Sequence, residues 1–342
     1  MSPGTDVLKG ARSATAGEAN PASGLGYREE ALVIGPRGAL LGVLTRPNGP
    51  ADPSRPVVIA VNAGLVHRVG PQRMHVTLLR RLASQGFTSL RFDFSGIGDS
   101  LPRADLLPYT RSTLEELREA MDAVTERTGL ARFCVAGLSS GALVAMASAS
   151  ADTRVACVCM LNPHGFGASS VWGEHVEAIH THRVYLSNLA SLASWRKLLT
   201  GRTDYRRLLR TLRYRFGLGL AQDAAATELA ATVQGARPQL MAFFQRGLPT
   251  LMVFSQRDRS LQNLEEILGP GWRRRLGTQV KLIEIPEANH TFASPRHLQQ
   301  ALQAIEGWLA QCWPAQPAAR QSSVAAQPMR PSNATSGGPD GF

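Results

Sequence analysis

The segment Gly137-Leu138-Ser139-Ser140-Gly141 has the residue types and the spacing needed for nucleophilic chemistry. A serine hydroxyl is a weak nucleophile that needs an exposed position and a neighbouring base. The spacing G-x-S-x-G provides the position, because small residues on either side let a strand and a helix pass closely around a sharp turn. We therefore predict a nucleophile elbow with Ser139 at its apex and with Gly137 and Gly141 at the close approach.

A base and an acid for this serine follow later in the chain. His290 comes after the last predicted strand, and Asp258 comes after the strand before it. The carboxyl ends of parallel strands share one edge of a sheet, so these side chains are expected to meet there. We predict Ser139 as nucleophile, His290 as general base and Asp258 as the acid that orients it. Asp105 and Asp152 remain alternative acids.

The elements around these residues alternate between short apolar runs and amphipathic stretches. The predicted strands are residues 31–34, 40–44, 57–61, 88–92, 133–136, 155–161, 250–255 and 280–285. One predicted helix starts near residue 71, and three others cover residues 113–128, 142–149 and 295–311. This alternation is typical of an α/β protein with a mostly parallel, doubly wound sheet. The glycines of residues 93–100 do not complete G-x-G-x-x-G, which argues against a dinucleotide site.

Composition divides the chain into segments. Residues 1–28 and 312–342 are rich in Gly, Ala, Ser and Pro, and we predict that both are disordered. The α/β core is predicted over residues 29–163 and 247–311. Residues 164–246, here called the cap segment, have helical patterns without strand signals. They predict a helical cap inserted after the strand at residues 155–161, which follows the helix that comes after Ser139.

The overall composition bounds the class of protein. The chain has 342 residues, and its net charge of +11 comes almost wholly from arginine. Apolar runs are too short to span a bilayer, and the N-terminus lacks the apolar region of a secretory signal. The four cysteines are not spaced as metal ligands. We expect a cytoplasmic protein that is not transmembrane and has no nucleic-acid partner, since no nucleic-acid-binding module is visible.

Histidines of the cap segment invite a metal hypothesis. They are His164, His175, His180 and His182. Their spacings do not place them on one face of a helix, so we predict no metal site and no cofactor.

Four motifs carry a resemblance to a known family: GLSSG at the elbow, RFDFSGIGDS, VFSQRDRS and PEANHTF. Residues 29–309 resemble the α/β-hydrolase superfamily, within its serine esterase and serine-aminopeptidase-like branch. NAGLVHRVGPQR next to RFDFSGIGDS is similar to bacterial hydrolases found beside exopolysaccharide and exosortase systems. The resemblance implies the same roles for Ser139, Asp258 and His290. It also implies an oxyanion hole formed by the backbone N–H groups of Leu65 and Ser140.

The basic part of the cap segment is a candidate binding surface. Arg206, Arg207 and Arg210 flank an apolar stripe at helical spacing, which is usually a solvated basic face. The alternative is docking of an anionic partner, such as an acyl-carrier protein, coenzyme A or an anionic lipid surface. His67, in the predicted oxyanion loop, is either a surface histidine or a contact to substrate.

The leading hypothesis is a serine hydrolase that cleaves a carboxylic ester or thioester of a small acyl substrate through an acyl-enzyme. An acyltransferase or thioesterase acting on a carrier-bound acyl group would use the same residues. A peptidase would need an acid to grip a free amino terminus, for which Glu174 or Glu177 is available. The alternative from another class is a non-catalytic scaffold that retains the fold.

Overall fold

The computed structural model of the protein describes residues 26–36, 38–105, 107–164 and 236–314. Its strands are β1 (Tyr27–Ile34), β2 (Leu40–Pro47), β3 (Val57–Val61), β4 (Ser89–Phe92), β5 (Phe133–Leu138), β6 (Val155–Leu161), β7 (Thr250–Ser255) and β8 (Val280–Ile285). Its helices are α1 (Met74–Ser84), α2 (Tyr109–Thr128), α3 (Ser140–Ala151), α4 (Ser260–Leu268), α5 (Trp272–Arg275) and α6 (Pro295–Cys312). Residues 236–245 are also helical.

The strands form one eight-stranded sheet in the order β1-β2-β4-β3-β5-β6-β7-β8. β1 and β2 are an antiparallel hairpin, and β2 pairs antiparallel with β4. All other neighbours are parallel. The central strands are continuous apolar runs because helices cover both of their faces. The predicted mostly parallel, doubly wound sheet is confirmed.

Alternation along β3 shows how the two faces are filled. Val57, Ile59 and Val61 are buried in the core on one face, with apolar side chains of α2, α3, α4 and residues 236–244. Val58 and Ala60 are buried in the core on the other face, with α1 and α6. Successive side chains of a strand point to opposite faces, so a fully apolar strand supplies both cores at once.

Several elements differ from the sequence-based expectation. β1 starts at Tyr27, inside the segment predicted to be disordered, because Tyr27 pairs with Pro47 in the hairpin. α2 starts at Tyr109 rather than at Thr113, and the Thr113 hydroxyl donates to the Tyr109 carbonyl at 2.9 Å. α4 and α5, both after β7, have no counterpart among the helices predicted from the sequence.

The cap segment is described only at its two ends. At its C-terminal end, Ala236, Leu240, Phe243 and Phe244 are buried in the core that contains α2 and α3. Residues 165–235, and with them Arg206, Arg207 and Arg210, lie outside the described residues. Within the described part, no helix is long and apolar enough to cross a membrane.

Candidate active site

Ser139 lies at the turn between β5 and α3 in a backbone conformation that side chains rarely adopt. Its φ is 58° and its ψ is −122°, and only 8% of its surface is exposed to solvent. Non-glycine residues with positive φ cost energy and are frequent at functional sites. The Ser139 N–H donates to the Leu161 carbonyl at the end of β6 at 2.9 Å, which ties the turn to the neighbouring strand.

The two glycines around Ser139 lie where a side chain would not fit. A Cβ on Gly137 would come within 2.2 Å of the Gly141 carbonyl group. A Cβ on Gly141 would come within 2.6 Å of the Asn62 carbonyl oxygen at the end of β3. The close approach of strand and helix at this turn therefore requires glycine at both positions.

Asp258 and His290 are in direct contact at the ends of β7 and β8. His290 Nδ1 lies 2.8 Å from Asp258 Oδ2. The other carboxylate oxygen of Asp258 accepts from the backbone N–H of Ser260 at 2.8 Å and from the Ser260 hydroxyl. Burial raises the pKa of Asp258, but the hydrogen bonds from His290 and Ser260 outweigh burial and hold the pKa at about 2. Asp258 is therefore ionised at neutral pH and can hold a proton on Nδ1 of His290.

The alternative acids lie elsewhere. Asp105 pairs with Arg103 at 2.6 Å and is exposed. Asp152 pairs with Arg154 at 2.8 Å after the end of α3. Neither of these carboxylates contacts His290, so the geometry favours Asp258 as the acid.

The end of β6 connects Ser139 to His290. Leu161 accepts from the Ser139 N–H, and the next residue, Asn162, donates from its side chain to the His290 carbonyl at 2.8 Å. Among the described residues, no hydrogen bond joins the Ser139 hydroxyl to the His290 ring. Such bonds are commonly long without substrate and tighten when it binds.

Leu65 and Ser140 present backbone N–H groups near the elbow. Ser140 is the first residue of α3, where the helix leaves its N–H groups without acceptors. The Gly64 N–H donates to the Ser140 hydroxyl at 2.9 Å, which brings the loop after β3 to the helix terminus. Within the described residues, neither the Leu65 nor the Ser140 N–H has a hydrogen-bond partner. Both N–H groups are therefore candidates for the two donors of an oxyanion hole.

A buried polar network holds the loop that carries Leu65. The Asp93 carboxylate is fully buried and accepts from the Asn62 side chain, the Arg68 backbone and the Arg68 guanidinium. The Asn62 side chain also donates to the Val66 carbonyl at 2.8 Å. Asp93 thus fixes the loop after β4, on which it lies, to the loop after β3. The contributions of Asn62 and Arg68 are not visible in the sequence, since their contacts leave no local signal there.

Two histidines lie beside these groups. His67 is exposed on the loop after β3, and its Nδ1 accepts from the Val69 N–H at 3.3 Å. The His164 ring lies edge-to-face against the His290 ring, with centroids 6.0 Å apart. Burial, and then the neighbouring His290, lowers the pKa of His164.

The remaining candidates for metal or substrate contact fall on undescribed residues. His175, His180, His182, Glu174 and Glu177 lie outside the described residues. In the part of the chain that is described, no cluster of His, Cys, Asp and Glu side chains is arranged to hold a metal ion.

A sequence model described as "Alpha/beta hydrolase family" matches residues 39–305. Among solved structures, a hypothetical protein from Pseudomonas aeruginosa is 16% identical over 83% of this chain and 93% of its own, with a TM-score of 0.52. The alpha/beta hydrolase GrgF from Penicillium sp. sh18 is 15% identical over 83% of this chain and 98% of its own, with a TM-score of 0.51.

A dienelactone hydrolase from Anabaena variabilis ATCC 29413 is 16% identical, covers 84% of this chain and 98% of its own, and has a TM-score of 0.50. Identities this low show a shared fold alone. No curated protein sequence gives a significant match to the chain.

Proposed function

This chain belongs to the alpha/beta hydrolase family, and we propose that it is a serine hydrolase that cleaves a carboxylic ester or thioester through an acyl-enzyme. The observation that carries the proposal is the 2.8 Å contact between His290 Nδ1 and Asp258 Oδ2, at the sheet edge where Ser139 occupies its strained turn. An ionised Asp258 that accepts from Nδ1 leaves Nε2 of the ring as the base.

In the first half-reaction, His290 Nε2 takes the proton of the Ser139 hydroxyl as the oxygen attacks the substrate carbonyl carbon. The carbonyl oxygen becomes an oxyanion that accepts from the N–H groups of Leu65 and Ser140. Asp258 stabilises the imidazolium that forms. When the intermediate collapses, the bond to the leaving oxygen or sulfur breaks and His290 gives its proton to the leaving group.

Water then completes the cycle. His290 Nε2 takes a proton from water, the hydroxide attacks the acyl carbon, and the same N–H groups of Leu65 and Ser140 stabilise the second oxyanion. Release of the Ser139 oxygen, which takes its proton back from His290, yields the free carboxylic acid. The positive end of α3 points at both intermediates and favours their negative charge.

A fluorophosphonate probe tests the nucleophile directly. We expect wild type to be labelled and Ser139→Ala to be unlabelled, while Ser148→Ala, a buried serine on the same helix, is labelled like wild type. Short and medium p-nitrophenyl esters and acyl-coenzyme A thioesters, assayed in parallel, would separate esterase from thioesterase activity. A folded wild type that is inert to probe, esters and thioesters would contradict the proposal and favour a binding scaffold.

A further inference from the structure

We propose that Asn162 is a positioning residue that, together with Ser255, fixes the backbone of the loop carrying His290. The role in catalysis rests on the proposed function, whereas the fixing of the loop can be tested without it. Asn162 follows β6 and Ser255 ends β7, so the two residues lie on neighbouring strands beneath the loop after β8.

The Asn162 side chain is fully buried, and both of its ends are bonded. Its Nδ2 donates to the Ser255 hydroxyl at 2.7 Å and to the His290 carbonyl at 2.8 Å. Its Oδ1 accepts from the Ser255 N–H at 2.7 Å. An amide side chain buried with this many bonds has one orientation, since turning it over would place donors against donors.

Ser255 also fixes Asn289, the residue before His290. Its hydroxyl donates to the Asn289 carbonyl at 2.8 Å, and its residue is 2% exposed. Its own carbonyl accepts from the Asp258 N–H at 3.0 Å. Two consecutive carbonyls, of Asn289 and His290, are therefore held from below by side chains. Through its carbonyl, Ser255 also connects these hydrogen bonds to the turn that carries Asp258.

The loop after β8 needs these hydrogen bonds because its backbone is strained on both sides of His290. Glu287 has φ 59° and Phe292 has φ 53°, both in the left-handed region. Asn162 itself has φ 41°, a conformation that asparagine tolerates better than most residues. Strained backbone persists only where surrounding contacts over-determine it. The contacts of Asn162 and Ser255 supply that determination at the histidine.

The consequence concerns the direction of the His290 ring. Asp258 fixes the position of Nδ1, and the His290 backbone fixes the position of the Cα–Cβ bond that carries the ring. Both are needed to direct Nε2 towards Ser139. A displacement of about 1 Å at a reacting group costs about a hundredfold in rate. Asn162 contributes to the rate through the placement of His290 and without contact to substrate.

Asn162→Asp keeps the shape of the side chain and exchanges the donating NH₂ group for an oxygen. We expect kcat for ester hydrolysis to fall about 10- to 100-fold with KM within about twofold of wild type. Ser255→Ala, which loses the bond to the Asn289 carbonyl, is a second variant with the same expected direction. The control is Thr250→Val, a buried residue at the opposite end of β7 whose hydroxyl bonds the Leu248 carbonyl. It should leave kcat unchanged.

A readout that needs no turnover is the far-downfield proton signal of the His290 Nδ1–H in NMR, assigned by its loss in His290→Gln. We expect this signal in wild type and Thr250→Val, and its broadening or loss in Asn162→Asp and Ser255→Ala. A wild type without the signal, or Asn162 and Ser255 variants with a wild-type signal, would overturn the proposal. If wild type hydrolyses nothing but the variants lose the signal, the proposed function fails while the placement of His290 by Asn162 holds.

Discussion

The Ser140 hydroxyl accepts a hydrogen bond from the Gly64 N–H at 2.9 Å, across 76 positions of the sequence. Gly64 immediately precedes Leu65, and its φ of 56° is one that glycine adopts without strain. Ser140 therefore has two connections to the proposed oxyanion hole. Its own N–H is one donor, and its side chain fixes the loop that presents the other, that of Leu65.

Ser140→Ala should lower kcat about 10- to 100-fold, since it frees the loop that carries one of the two oxyanion donors, and loss of a donor outright costs about 10²- to 10³-fold. KM should change little, because the donors act most strongly on the transition state. Steady-state kinetics on a p-nitrophenyl ester would check this. Ser148→Ala, which removes a buried hydroxyl bonded to the Ala145 carbonyl on the same helix, is the control. Equal loss in both variants would refute a specific role for the Ser140 hydroxyl.

Asp258→Asn should lower kcat by about 10⁴-fold while the protein remains folded. The amide loses the charge that stabilises the imidazolium and favours the wrong ring tautomer, although Ser260 can still donate to its oxygen. The matched control is Asp105→Asn, which removes an exposed carboxylate paired with Arg103. If Asp105→Asn caused the larger loss, the acid would have been assigned to the wrong residue.

The sequence was sufficient to predict the sheet and the positions of Ser139, Asp258 and His290. Continuous apolar strands are recognisable one at a time, and the carboxyl ends of parallel strands necessarily share an edge. That shared edge brings Asp258 and His290 near each other, whereas the hydrogen bond between them also depends on how the two loops are oriented.

Side-chain contacts between distant residues could not be predicted in this way. Asn162 and His290 are 128 positions apart, and Ser140 and Gly64 are 76 positions apart. Neither pair produces periodicity or a motif, because each depends on how the strand ends and loops are oriented in space. The start of α2 also differs from the prediction: the helix begins at Tyr109, directly after Pro108, and the Thr113 hydroxyl donates to the Tyr109 carbonyl in its first turn.

Gly141→Ala should destabilise the protein by about 1–3 kcal/mol and abolish most activity, because its Cβ would come within 2.6 Å of the Asn62 carbonyl and push α3 away from β3. Gly307→Ala is the matched control. Gly307 lies inside α6, where a Cβ would meet no atom within 4 Å, so alanine there should stabilise by about 0.5–1 kcal/mol. Urea unfolding of both variants would test the pair, and a fully stable Gly141→Ala would contradict the close approach.

His75 should make stability depend on pH between about 6.5 and 4. Its ring is buried beneath Gly70, and burial lowers its pKa from 6.5 to about 4. The unfolded chain therefore binds a proton below pH 6.5 that the folded protein refuses until about pH 4. His75 therefore does not reduce the free energy of unfolding above about pH 6.5. As the pH drops towards about 4, it reduces that free energy by up to about 3 kcal/mol. Urea unfolding at about pH 7 and about pH 4.5 should show a smaller decrease for His75→Gln than for wild type, whereas Thr250→Val, which removes no titratable group, should follow wild type. An equal decrease in wild type and His75→Gln would contradict the assignment of this pH dependence to His75.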